Sequence, residues 1–131
     1  MCIFCKIVNG EIPSKKIYED DYVIAILDLS QAEKGHTLVI PKKHYDTFLD
    51  ADAKTVSHSF EVSQKLAIKI KEKLNADGIN ILNNTNEAAG QSVMHMHIHI
   101  IPRYKNDDLK ITFIDHSDKY NLDDVLKEIN A

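Results

Sequence analysis

Two hydrophobic periods divide this chain. Residues 16–41 and 79–101 carry short apolar blocks with strand-like alternation, whereas residues 52–74 repeat apolar positions every three or four. Residues 16–18 and 22–27 read as two strands joined by the acidic turn Glu19-Asp20-Asp21, the second apolar enough for burial on both faces. Residues 35–41 form a third strand, β-branched between Gly35 and Pro41. The long helix presents Val56, Phe60, Ser63, Ala67, Ile70 and Leu74 as its core stripe; Asp52 caps its start, and Asn75-Ala76-Asp77-Gly78 ends it. Residues 79–84 are a fourth strand, followed by a polar loop over 85–89 and a fifth strand. A helical turn over residues 2–8 stops at Asn9-Gly10. Beyond Arg103, Ile111, Phe113 and Ile114 suggest a strand or an arm, and residues 122–129 a short helix capped by Asn121. The pattern predicts an α+β fold: a five-stranded antiparallel sheet, one long helix across it, and short N- and C-terminal helices.

The fifth strand is His95-Met96-His97-Ile98-His99-Ile100-Ile101, with three of the seven histidines at a spacing of two. On a strand these imidazoles share one face, ~7 Å apart, so the outer two are separated by ~13 Å. That separation suits an extended substrate better than one ion, although histidine-rich tracts more often bind metal or are simply tolerated. Gly90-Gln91-Ser92-Val93, directly upstream, supplies a flexible backbone, an amide and a hydroxyl of the kind that hold phosphate oxygens. Asp28, at the end of the second strand, is either a turn residue or a carboxylate facing a ligand. His36 and His44, each taken alone, fit surface or core positions.

Composition narrows the classes. The 131 residues fit a single domain over residues 1–131, with 103–131 as a tail. A hydrophobic share of 44% with 27% charged residues is that of a globular chain, and the net charge of -4 argues against a nucleic-acid polymer as partner. No secretory signal and no run of ~18 apolar residues is present, which predicts no membrane association and a cytoplasmic protein. Two cysteines there stay reduced, and their Cys2-x-x-Cys5 spacing points to metal or redox chemistry. Zinc needs two further ligands, for which His44 and His95 are candidates; a thioredoxin-like site would require a βαβ setting, and the bland alternative is two thiols packed as small apolar groups.

A neutral imidazole can attack phosphorus, and the phosphohistidine formed is cleaved by water; in-line positioning and donors to the phosphoryl oxygens complete such chemistry without a metal. Gly90-Gln91-Ser92-Val93-Met94-His95-Met96-His97-Ile98-His99-Ile100-Ile101 resembles the signature of the histidine-triad family. The segments 24–29, 35–44 and Asn83-Asn84 resemble family segments in the same order, so the likeness covers roughly residues 2–103.

The resemblance implies a nucleotide hydrolase in which His97 attacks the α-phosphorus of a purine nucleotide. His99, Gln91 and Ser92 would position the phosphate, and His36 would stand behind His97. Asp28 would bind ribose; Phe4, Ile7, Ile26 and Leu29 would line the base pocket; Gly90, Asn84 and Val93 match further binding positions. A third histidine rather than glutamine favours hydrolysis over transfer. The N-terminal lead into Ile12-Pro13 resembles the purine-nucleoside phosphoramidase branch, whereas Pro102-Arg103 resembles the ending of dinucleoside-polyphosphate hydrolases.

The resemblance also implies a homodimer and one structural zinc per chain on Cys2, Cys5, His44 and His95, as in bacterial members with an N-terminal Cys-x-x-Cys. A closed four-ligand shell would leave the chemistry metal-free. A rival of another class is a zinc-stabilised nucleotide-binding or interaction module with little turnover, and a rival catalytic scheme is metal-dependent hydrolysis through the triad.

Overall fold

The computed structural model describes residues 2–131 and forms the expected α+β layers. The elements are α1 (Ile3–Val8), β1 (Lys16–Glu19), β2 (Val23–Leu27), β3 (Thr37–Pro41), α2 (Ala53–Leu74), β4 (Gly78–Leu82), β5 (Ile98–Arg103) and α3 (Leu122–Ile129). The five strands make one antiparallel sheet in the order β1-β2-β3-β5-β4. β4 is an edge strand, and β3 and β5 meet at the centre.

Strand alternation splits the core into two layers. Val23, Ala25 and Val39 join Met96, Ile98 and Ile100 on the face covered by Val62, Leu66 and Ile70 of α2. Ile24, Ile26, Leu38 and Ile40 point the other way and pack with Phe4 under α1. β2 is therefore buried on both faces, as its continuous apolar run predicts. The boundaries of α2 follow its caps: the Asp52 carboxylate accepts from Thr55 N–H, and Asn75 adopts a left-handed conformation with φ 56°. Its stripe is rotated from the expected one. Ser59, Val62, Ser63, Leu66 and Ile70 are buried, while Phe60, Ala67 and Leu74 pack at the border. Small serines let the helix lie close to the sheet, a fit that hydrophobicity alone does not encode.

The histidine strand is shorter than expected. Regular pairing starts at Ile98, so His95 and His97 lie in a lead before β5 that bends over residues 93–95, where His95 N–H donates to the Val93 carbonyl at 2.9 Å. The lead is held by other bonds: Met96 N–H donates to the Tyr45 carbonyl, and the Asn83 side chain donates to the His97 carbonyl at 2.9 Å. Alternation still persists, with Met96, Ile98 and Ile100 towards α2 and the imidazoles on the face of Phe4. Residues 111–114 form no strand and are exposed, and α3 is capped by Asn121 as expected but has no buried residue.

Candidate active site

The opposite face of the sheet from α2 carries a cleft of about 210 Å³ between α1, the end of β2 and the histidine lead. Phe4, Ile7, Ile26, Asp28, Leu29, Ser92, Val93, His97 and His99 all line it. Residues from three distant segments thus converge because β2, β3 and β5 are neighbours. Asn84, Gly90, Gln91 and His36 are not among the lining residues. The Gln91 amide is occupied by backbone: Nε2 donates to the carbonyls of Asp46 at 2.7 Å and Val93 at 3.0 Å, and Oε1 accepts from Asn86 N–H at 2.7 Å. It shapes the loop before the histidines. Gly90 closes the turn with φ 96°, and Asn84 Nδ2 reaches its carbonyl.

Hydrogen bonds fix which nitrogen of each imidazole carries the proton. His97 Nδ1–H donates to the His95 carbonyl at 2.7 Å, so Nε2 keeps its lone pair. Burial pushes the His97 pKa down, against the pull of that bond and of Asp28, and keeps the ring neutral. A neutral imidazole with a free Nε2 is the nucleophilic form.

His99 is set differently. Ala32 N–H donates to His36 Nδ1 at 3.1 Å, and His36 Nε2 lies 2.9 Å from His99 Nδ1. His36 must then carry its proton on Nε2 and donate it to His99 Nδ1, which places the His99 proton on Nε2. Burial, followed by the neighbouring His97 and His36, holds the His99 pKa down to about 4. His36 is lowered by burial, against the Asp28 charge and a backbone hydrogen bond with Ser30. The expected place of His36 behind His97 is therefore corrected: it backs His99. Asp28 sits in the turn, where Oδ1 accepts from Ser30 N–H, and also lines the cleft, with Oδ2 3.5 Å from His36 Nε2.

A second cluster shares the lead. Cys2 Sγ, Cys5 Sγ, His44 Nδ1 and His95 Nδ1 lie 3.1–3.6 Å apart in all six pairings. Four donors on a tetrahedral zinc, bound at ~2.0–2.3 Å, stand about 3.3–3.8 Å from one another. The other nitrogens are already assigned: His95 Nε2–H donates to the Pro41 carbonyl at 2.8 Å and His44 Nε2–H to Asp46 at 2.7 Å. Both Nδ1 lone pairs therefore face the thiols, the arrangement a metal requires of its imidazoles. The four residues fit Zn2+. Phe4, between the two cysteines, packs edge-on against the rings of His95 and His97 at 5.9 and 5.0 Å, so this cluster also places a wall of the cleft.

The HIT domain profile matches residues 9–106. The chain belongs to the HIT family. A HIT-like protein of Methanocaldococcus jannaschii, itself uncharacterised, is 49% identical over 131 residues, the whole of both chains. A plant relative, the adenylylsulfatase HINT3 of Arabidopsis thaliana, is 42% identical over 106 residues, 81% of this chain and 54% of its own length. Among solved structures, a HIT family protein of Bacillus anthracis superposes with a TM-score of 0.91 at 45% identity, covering 98% of this chain and 92% of its own. A zinc-bound histidine-triad protein of Mycobacterium smegmatis superposes at 0.81 with 40% identity, covering 90% and 86%. This HIT chain thus has the nucleotide-binding, hydrolase-type fold of its family, and no helix among its described residues is long and apolar enough to cross a membrane.

Sequence reasoning gave no site role to Ala32, Asn83, Asp46 and Gln31, which hold the histidines or their loops. In these bonds Ala32 and Asp46 use main-chain groups, which have no residue-type signature, and Asn83 and Gln31 use side-chain amides aimed at carbonyls that only the fold brings near.

Proposed function

We propose that this HIT protein hydrolyses purine nucleotides at the α-phosphorus, with nucleoside phosphoramidates as the substrate type. The observation that carries the reading is the free Nε2 of a neutral, buried His97 on the wall of the cleft. In the reaction Nε2 bonds to the α-phosphorus as the bond to the leaving nitrogen, protonated in the substrate, breaks and releases the amine, while neutral His99 holds a phosphoryl oxygen through its Nε2–H. Water then attacks the nucleotidyl-histidine, the N–P bond breaks and returns His97 to its neutral form, and one water proton stays on the product phosphate while the other passes to the released amine. Ser92 and the backbone amides beside it donate to the phosphoryl oxygens, while Gln91, Gly90 and Asn84 hold the loop that presents them. Asp28 binds ribose, and Phe4, Ile7, Ile26, Leu29 and Val93 bound the base. The plant relative named an adenylylsulfatase supports cleavage beside an adenylyl phosphorus.

The cleft contains no Lys or Arg among its lining residues. Arg103, the residue that resembles the dinucleoside-polyphosphate branch, is engaged by Asp107, Asn80 and the Leu109 carbonyl. It offers no charge to a polyphosphate chain, which favours the phosphoramidate reading. Zinc on Cys2, Cys5, His44 and His95, one ion per chain, would supply a structural cross-link between α1 and the histidine lead. We place the protein in the cytoplasm, where its thiols remain reduced. We assign a homodimer through the groove between α2 and β4, about 620 Å³ in volume and lined by Phe60, Ala67, Ile68 and Ile81, since a second β4 can pair with this edge.

The test is turnover of adenosine 5′-phosphoramidate and of a diadenosine polyphosphate, in chelator, by wild type and His97→Asn. Faster cleavage of the phosphoramidate, with at least ~10²-fold loss in the variant, supports the proposal. No cleavage of either substrate supports the binding-module reading, and activity that falls in chelator at an unchanged unfolding temperature and returns with metal supports metal-dependent hydrolysis.

A further inference from the structure

The turn between β2 and β3 holds a polar clasp that the reaction scheme has not used. Gln31 Nε2 donates to the Asp28 carbonyl at 2.6 Å and to the His36 carbonyl at 2.7 Å, and its Oε1 accepts from Gly35 N–H at 2.8 Å. One amide therefore ties both ends of the 28–36 turn. The backbone bond from Asp28 N–H to the His36 carbonyl at 2.9 Å closes the same ring. Ala32, the next residue, is left with its N–H directed at His36 Nδ1.

We propose that Gln31 is a positioning residue for the reaction, acting through the chain Ala32 N–H to His36 to His99 to keep the His99 proton on Nε2. The inference rests on the hydrolase reading for its catalytic consequence. Its structural content is independent of it. A backbone amide can only donate, so while it points at His36 Nδ1 the proton of the neutral ring must sit on Nε2. His36 then donates to His99 Nδ1, and His99 is left with Nε2–H, the form that can donate to a phosphoryl oxygen. If the turn opens, His36 is free to take either tautomer and His99 follows.

The same lock argues against a cation here. Asp28, His36 and His99 bring their donor atoms within 4.8 Å of one another. Ligation through His36 Nε2 would require its proton on Nδ1, against Ala32 N–H. The cluster is a proton-placing relay rather than a metal site.

The test is the tautomeric state of His36 and His99, read from long-range 1H–15N correlations of uniformly labelled protein, beside kcat and KM for adenosine 5′-phosphoramidate. Gln31→Glu keeps an acceptor for Gly35 N–H but loses the donor to two carbonyls, and Gln31→Leu loses both. Wild type should show Nε2–H at both rings. Each variant should show a mixture at His99, no change at His97, and a fall in kcat of about tenfold to a hundredfold with KM nearly unchanged. Nδ1–H at His99 in wild type overturns the proposal, as does a pure Nε2–H signal in the variants. Shifted tautomers with unchanged kcat overturn the catalytic role. If wild type cleaves no phosphoramidate, the hydrolase reading fails while the spectra still decide the clasp.

Discussion

Gly35→Ala tests how the active-site turn is seated on the end of the long helix. Gly35 has φ 97°, a conformation that costs an L-residue about 1–2 kcal/mol. A Cβ there would fall well inside van der Waals contact of Leu74 Cδ1 and lie 3.1 Å from Pro102 Cγ. Leu74 ends α2 and can rotate away, whereas Pro102 belongs to the interior strand β5 and cannot. Overpacking of this kind costs about 1–3 kcal/mol, so the total loss is about 2–5 kcal/mol. At roughly 4 °C per kcal/mol for a domain of this size, thermal unfolding followed by circular dichroism should shift down by about 8–20 °C. Leu74→Ala removes the larger overlap, so Gly35→Ala/Leu74→Ala should lose less than the sum of the single variants. A drop below ~2 °C for Gly35→Ala would refute both the strain and the contact, and strict additivity of the pair would refute the contact with Leu74.

Further outcomes follow from the other contacts. Removing metal with a strong chelator, or Cys5→Ser, should lower the unfolding temperature by more than about 5 °C. One equivalent of Zn2+ per chain should restore the chelated wild type but not the variant; a chelated protein that melts unchanged would sink the structural site. Acidification should destabilise the fold. His36 and His99 are held neutral in the folded chain, His99 down to about 4, so the unfolded chain binds more protons once pH falls below about 6.5. Stability should be flat above that pH and decline from there towards about 4, and a denaturant midpoint that stays constant over this range would contradict the buried neutral rings. Asp52→Ala removes the cap accepted from Thr55 N–H at 2.7 Å and should cost about 1 kcal/mol in urea unfolding, against near-neutrality for Asp52→Asn.

Local periodicity was enough for the elements themselves. The run of residues 23–27 has no polar face and became the doubly buried β2; Asp52 and Asn75 bracket α2 because their side chain and backbone suit those two ends. The alternation through His95, His97 and His99 also survived, because any extended backbone sends every second side chain to the same face. These are properties of neighbours in sequence. The resemblance carried by the same residues added what periodicity could not, by naming side chains from distant segments.

Tertiary structure decided which partner each of those groups meets. His95 and His97 lie outside the regular strand because Tyr45 and Asn83, from other segments, take the bonds that a strand neighbour would have made. His36 backs His99 rather than His97, since β3 pairs with β5 in a register that puts Leu38 opposite His99. Gln91 looks in the sequence like a phosphate donor, yet its amide is consumed by three backbone groups. The tautomers of the imidazoles depend on carbonyls and amides of His95, Pro41 and Ala32. Every residue has such groups, so sequence marks none of them; only the approach of two chain segments selects the ones that place a proton.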